Sequence, residues 1–234
     1  IYDLEGRCVA SHAEPYETKF MAGARAEQNA EHWWSNLVTA TQICLKEANI
    51  SGDAIDAMAY ATTCCTVVAL DKNGAPLRPA LMWMDVRADK EAEAVMKTGD
   101  QRLILNGNGQ GPVSAEWMIP KALWLKRNEP QIFDEAVTIC EYQDYLTMRL
   151  TGERCASLNN VGLRWHYANR DGGWASGIVE KLGMPDLLEK WPSRVAAPGE
   201  VVGNLSAAAA AELGLSTRTK LVQGGADALI GMIG

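Results

Sequence analysis

Asp227 closes the run Gly224-Gly225-Ala226-Asp227, directly ahead of a short apolar stretch. Paired glycines let a backbone pass close to another chain or to a ligand. A carboxylate where a strand hands over to a helix can take the proton of an attacking hydroxyl, and helix N–H groups there favour anions. The same spacing fits a plain helix N-cap, and by itself it favours the cap. Trp83 stands beside Asp85 and Arg87 at the end of another apolar run. An indole next to polar groups can wall a pocket by stacking on the C–H faces of a polyhydroxylated ligand. It can equally be a core tryptophan beside a surface Asp–Arg pair. Cys64 and Cys65 are adjacent and read as two small strand-end residues in preference to a redox pair. His12, His32 and His166 show no partner pattern and read as structural.

The elements that must carry these residues follow from periodicity and turn chemistry. Trp33, Leu37, Ala40 and Cys44 recur at helical spacing within an expected helix over 27–48. Further helices are expected over 88–97, over 120–128 with Pro120 in its first turn, and over 143–150, stopped by Thr151-Gly152. Short ones follow over 178–182, 187–190 and 207–211, the last with Ser206 as N-cap and Gly214 near its end, and one more starts at Ala228. Strands are expected over 7–14, entering from a turn at Glu5-Gly6, then within 54–61 and over 66–70, 79–84, 137–140 and 220–223. Strands followed by alternating strands and helices give an α/β domain. One domain with an incomplete edge at each end is expected, because the sequence stops one turn into an apolar helix and lacks an initiator Met.

Bulk properties narrow the function classes. The 234 residues are 47% hydrophobic and 22% charged with a formal net charge of −7, an ordinary globular composition whose acidity disfavours nucleic acid as a partner. No apolar run is long enough for a transmembrane helix, and the first residues do not form a signal peptide. The six cysteines at 8, 44, 64, 65, 140 and 155 form no C-x-x-C pair and no zinc spacing. Scattered thiols of this kind suit a cytoplasmic protein.

Four separated segments, in order, resemble the FGGY carbohydrate kinases. Leu70-Asp71-Lys72-Asn73-Gly74-Ala75-Pro76-Leu77-Arg78-Pro79 with Trp83-Met84-Asp85-Val86-Arg87 is similar to the family's "D-x-x-G-x-x-L-R-P … W-x-D-x-R" stretch. Pro120 to Lys126 resembles its "P-K-x-x-W-L" helix, Asp144-Tyr145-Leu146 with Leu150-Thr151-Gly152 its "D-Y-L … L-T-G" segment, and Gly224 to Asp227 its catalytic turn. Thr63-Cys64-Cys65-Thr66-Val67-Val68, Ser114-Ala115-Glu116 and the stretch from Cys155 to Trp174 resemble the ribulokinase-like branch.

The resemblance implies a ribonuclease H-like domain of the actin and hexokinase type, a mixed sheet flanked by helices, truncated at both ends. It implies that residues 1–234 are the N-terminal sugar-binding domain, without the family's first "D-x-G-T" strand and without the C-terminal domain that holds most of the ATP. Asp227 becomes the catalytic base. Thr63, Cys64, Cys65, Trp83, Asp85, Ser114 and Glu116 become substrate-binding residues, and Gly224 and Gly225 nucleotide-binding ones. ATP and Mg²⁺ are the implied cofactors, bound mainly by segments absent from this chain, with no metal ligand assigned within it. The implied reaction is phosphorylation of a ketopentose, ribulose-like first and xylulose next. The alternatives are a glycerol- or erythritol-like polyol, or a sugar-binding sensor without transfer activity. Partners would be a small sugar or polyol, the C-terminal domain and a second copy in a homodimer, with neither nucleic acid nor membrane.

Overall fold

A computed structural model describes residues 1–105 and 112–232. The elements in chain order are Lys19–Met21 (β1), Arg25–Gln28 (β2), Ala30–Ala48 (α1), Ala57–Ala59 (β3), Val67–Leu70 (β4), Ala80–Leu81 (β5), Asp89–Lys97 (α2), Met118–Asn128 (α3), Pro130–Glu135 (α4) and Thr138–Glu141 (β6). The second half holds Tyr142–Thr151 (α5), Cys155–Ser157 (β7), Leu158–Arg164 (α6), Ser176–Lys181 (α7), Leu187–Lys190 (α8), Arg194–Ala196 (β8), Val201–Asn204 (β9), Ala207–Leu213 (α9), Lys220–Val222 (β10) and Asp227–Ile230 (α10).

Three sheets result. The largest is antiparallel, in the order β1-β2-β5-β4-β6. A second, mixed one runs β3-β10-β9, with β3 parallel to β10, and β7 pairs in parallel with β8. All four residues of β4 are buried, and successive side chains of a strand point to opposite faces. Val67 and Ala69 accordingly join a core with α2, α3, α4 and the indoles of Trp165 and Trp191. Val68 and Leu70 join another with α1, α5 and α9. The central strand therefore reads as a continuous apolar run without alternation. Trp33 and Trp34 belong to the second core, where Trp33 stacks on Tyr142 with ring centroids 3.7 Å apart. Among the described residues no helix is long and apolar enough to cross a membrane.

Most expected elements are present, with shifted ends, and two are corrected. Residues 7–14 form no strand; the bridge Tyr2↔Cys8 and the turn before Gly6 are what remains of that hairpin. The hairpin in the large sheet is instead β1–β2, and it takes the start of the expected 27–48 helix. Glu27 and Gln28 pair with Leu81 and Ala80, and Asn29, extended at φ −82° and ψ 113°, caps α1 by accepting the Glu31 N–H at 3.0 Å. Helical periodicity continued through an asparagine that should have ended it. Ser206 does cap α9, accepting the Ala209 N–H at 3.1 Å.

His166 sits fully buried in the left-handed region at φ 57°, its ring 5.5 Å from that of Trp117. Neither ring nitrogen has a hydrogen-bond partner among the described residues. Burial pushes its pKa from the ordinary 6.5 down to about 4. The folded state thus keeps the ring neutral while the unfolded chain charges it. The stability this holds is complete above pH 6.5 and drains away, by up to roughly 3 kcal/mol, as pH falls toward 4. His166→Asn keeps a residue that tolerates left-handed backbone and should flatten this part of the profile. Urea midpoints at pH 7 and pH 5 test it, and an identical drop in both proteins would exclude the effect.

Candidate active site

The site grows from the ends of two parallel strands. β3 and β10 run side by side in the register Ala57↔Lys220 to Ala59↔Val222. Their extensions stay together: Thr62 bridges Ala226, Thr62 donates its N–H to the Gly225 carbonyl at 3.3 Å, and Asp227 donates its own to the Thr62 carbonyl at 2.8 Å. So tight a passage needs glycine. A Cβ on Gly224 would lie 1.8 Å from the Tyr60 carbonyl oxygen, and one on Gly225 would lie 2.8 Å from Asn159 Oδ1.

Asp227 is exposed at the first position of α10, and the N-cap residue is Ala226. The capping alternative therefore does not describe its place. Its Oδ1 accepts the Ala228 N–H at 2.7 Å, and among the described residues Oδ2 has no hydrogen-bond partner. α10 has four residues, too few for a helix dipole to hold an anion. Gly224 and Gly225, expected to bind nucleotide, lie in this same crossing of β3 and β10. The N–H of Ala226 is bound to Asn159 Oδ1 at 2.9 Å and that of Asp227 to Thr62, so the glycines serve chain crossing and the amides after them are spent.

The Thr63–Cys65 loop is pinned from both sides. Cys65 is a non-glycine residue at φ 65°, a conformation that persists only where its surroundings fix it. Its carbonyl accepts a hydrogen bond from Lys121 Nζ at 2.7 Å, and the same ammonium donates to the Met82 carbonyl at 2.6 Å. Its N–H is turned to the Glu141 carboxylate, which also accepts from Trp165 Nε1 at 2.6 Å and Asn160 Nδ2 at 2.9 Å. Burial pushes the pKa of Lys121 down to about 8 and that of Glu141 up. On the outer side Thr66 Oγ1 lies 3.2 Å from Thr63 Oγ1 and accepts the Trp83 N–H at 3.1 Å.

Backbone N–H bonds thus tie Asp227 to Thr62 and Trp83 to Thr66, one on each side of the Thr63–Cys65 loop, and Trp83 is 39% exposed. Asp85 departs from the group. It is fully buried, its oxygens taken by the Ala26 N–H at 2.7 Å and by the Arg87 backbone and guanidinium, and these donors hold its pKa low against its burial. It locks the β2–β5 corner and presents no oxygen to solvent. Ser114 and Glu116 bond to each other at 3.2 Å, half-buried, and the Glu116 charge acts on Lys121. Among the described residues no three His, Cys, Asp or Glu side chains converge as a metal site. A cavity of about 800 Å³ between residues 1–4, α1 and β3 touches none of these groups.

Comparison with known proteins decides the kinship. The family model described as the N-terminal domain of the FGGY family of carbohydrate kinases matches residues 1–234. The chain belongs to the FGGY family of carbohydrate kinases. A xylulose kinase of Bacillus subtilis is 27% identical over all of this chain and 46% of its own length. An FGGY carbohydrate kinase domain-containing protein of Danio rerio is 35% identical over 73% of this chain and 33% of its own. The crystal structure of xylulose kinase from Rhodospirillum rubrum, 26% identical, superimposes with a TM-score of 0.84 over 96% of this chain and 45% of that one. The chain therefore spans less than half the length of these relatives.

In this FGGY domain sequence reasoning missed Lys121, Asn159 and Glu141. Lys121 carried a usable signal: it is the one charged residue in the otherwise apolar run from Met118 to Leu125, and a buried lysine must find partners. Asn159 and Glu141 carried none, because their partners lie 67 and 24 residues away.

Gly224→Ala should force the ends of β3 and β10 apart and cost at least roughly 3 kcal/mol, the upper range for overpacking. Gly162→Ala in α6, where a Cβ meets nothing within 4 Å, should be neutral or stabilising by about 0.5–1 kcal/mol. Urea unfolding of both variants checks the pair, and equal effects would refute the crossing argument.

Proposed function

We propose that this chain is the sugar-binding domain of a longer ATP-dependent kinase that phosphorylates a hydroxyl of a ketopentose, ribulose-like first and xylulose next, with Asp227 as the base. The observation that carries this reading is the Asp227 N–H bond to the Thr62 carbonyl at 2.8 Å, which sets an exposed carboxylate beside the Thr63–Cys65 loop. The names of relatives support the substrate class: xylulose kinases, and a D-ribulokinase of Saccharomyces cerevisiae 25% identical over all of this chain. Six unpaired thiols suit a reducing, cytoplasmic setting.

In this reading Thr63 and the loop after it receive the sugar hydroxyls, and Trp83 offers its face to the C–H side of the ring or chain. Asp85 acts from behind by fixing the corner that carries Trp83. ATP supplies the phosphoryl group, and a C-terminal domain of the same protein supplies its contacts. Mg²⁺ neutralises phosphate charge in such reactions; no ligand set for it converges among the described residues, so no step is assigned to it here. The sugar oxygen forms a bond to phosphorus as the bridging oxygen leaves with ADP, and the hydroxyl proton passes to the Asp227 carboxylate. A loose transition state asks more of the position of that carboxylate than of its basicity.

Asp227→Asn in the full-length protein removes the charge and keeps the size. Turnover in a coupled ADP-release assay over a panel of ketoses and polyols should fall by at least about 10²-fold, with sugar affinity and melting temperature little changed. Near-normal turnover would overturn the role of Asp227. A wild-type protein silent on every ketose and polyol would overturn the kinase reading itself.

A further inference from the structure

Cys64 and Cys65 place their sulfurs 3.8 Å apart at the outer face of the Thr63–Cys65 loop. Cys64 is half-buried and reachable, Cys65 buried, and the backbone that presents them is held by Lys121 and Glu141. Adjacent cysteines close a disulfide only with difficulty. Their Cα atoms stand about 3.8 Å apart across a trans peptide, below the usual disulfide minimum of about 4.4 Å. A bridging atom removes that conflict. A thiophilic centre bonded to two sulfurs at about 2.3 Å needs them roughly 3.3–3.8 Å apart, for openings between pyramidal and tetrahedral. The present separation lies at that span, so no backbone movement is required.

Cys8 is exposed and Cys44, Cys140 and Cys155 are buried, and among the described residues the Cys64–Cys65 contact is the one between two cysteine sulfurs. The Cys65 thiol donates toward Cys64 Sγ, and together with the charge of Arg164 this lowers the Cys64 pKa. Cys64 is therefore the sulfur that attacks first.

We propose that Cys64 and Cys65 form a dithiol site for a trivalent arsenic centre, and that closing it blocks the sugar loop. The second clause rests on the reading of that loop given under Proposed function. With an aryl arsenoxide both S–H bonds break, two As–S bonds form, and the oxo oxygen leaves as water with the two protons. Arsenic stays trivalent, so no oxidant is needed. The ring that forms fills the space beside Thr63 and fixes both side chains away from any ligand.

The test is intact-protein mass spectrometry of the full-length protein with phenylarsine oxide, alongside ketose phosphorylation. Wild type should gain one phenylarsenic group less two hydrogens, in a form that withstands a monothiol and is released by a dithiol. Cys64→Ser and Cys65→Ser should each lose the monothiol-resistant adduct, while Cys8→Ser keeps it. An adduct that survives in either serine variant, or that vanishes with Cys8→Ser, overturns the site. In wild type, phosphorylation should be lost in step with the adduct and return with it on dithiol addition. A stable adduct with full phosphorylation would leave the dithiol site standing and overturn the placement of this loop at the sugar. Protein that never phosphorylates a ketose, yet forms the adduct, would overturn the kinase reading alone.

Discussion

One buried ammonium holds the two halves of this site together. Lys121 reaches from α3 and donates to the carbonyls of Cys65 and Met82, so the loop after β3 and the turn after β5 share a single donor. The pKa of about 8, against the ordinary 10.5, means that folding disfavours the charged form by roughly 3 kcal/mol. Two hydrogen bonds from a charged donor return about 1.5–3 kcal/mol each. Together, at roughly 3–6 kcal/mol, they offset the cost of burying the charge. It also adds geometry: the Met82 carbonyl accepts the Asp85 N–H at 3.0 Å within its own turn, and Lys121 is the donor that ties that turn to the Cys65 carbonyl.

The strain at Cys65 makes sense on the same footing. A side-chain-bearing residue at φ 65° costs energy of order 1–3 kcal/mol, and here its carbonyl is tied to Lys121 while its N–H faces Glu141. The Glu141 carboxylate is itself fastened by Trp165 and Asn160 and shares a capping box with Asp144. Both acids are buried, and burial raises both pKa values. This polar layer under the loop is costly; its carboxylates are held by the Trp165, Asn160 and backbone N–H donors, which offset part of that cost. The other wall of the site depends on closeness instead of charge. β3 and β10 continue side by side past their last paired residues because Gly224 and Gly225 have no Cβ, and Asp227 inherits its position from that passage.

The fold was legible where one physical signal dominated. β4 announced itself by consecutive β-branched residues, α5 by its glycine stop, α9 by Ser206, and the chain's kinship by four motifs in order. It was illegible where two signals competed. Glu27 and Gln28 fall within the expected helix and also pair with β5, and the tertiary pairing won. Residues 7–14 have strand propensity but keep only one bridge to Tyr2, because a strand needs a partner along its length to be stable.

For the candidate site, the sequence by itself determined which residues had the chemistry: the carboxylate of Asp227, the hydroxyl of Thr63, the thiols of Cys64 and Cys65 and the indole of Trp83. Side-chain chemistry is local, and a motif records it. Only the tertiary structure decided which of them are buried, which are exposed and what each is bonded to. It turned Asp85 inward onto Arg87 and Ala26, brought Gly224 and Gly225 against Tyr60 and Asn159, and set Asp227 at the first residue of a four-residue helix and not at its cap. It also brought in Lys121, Glu141 and Asn159, whose partners lie 19 to 67 residues away. The physical reason is that burial and hydrogen-bond satisfaction belong to pairs of groups, and such pairs are formed only when the chain folds.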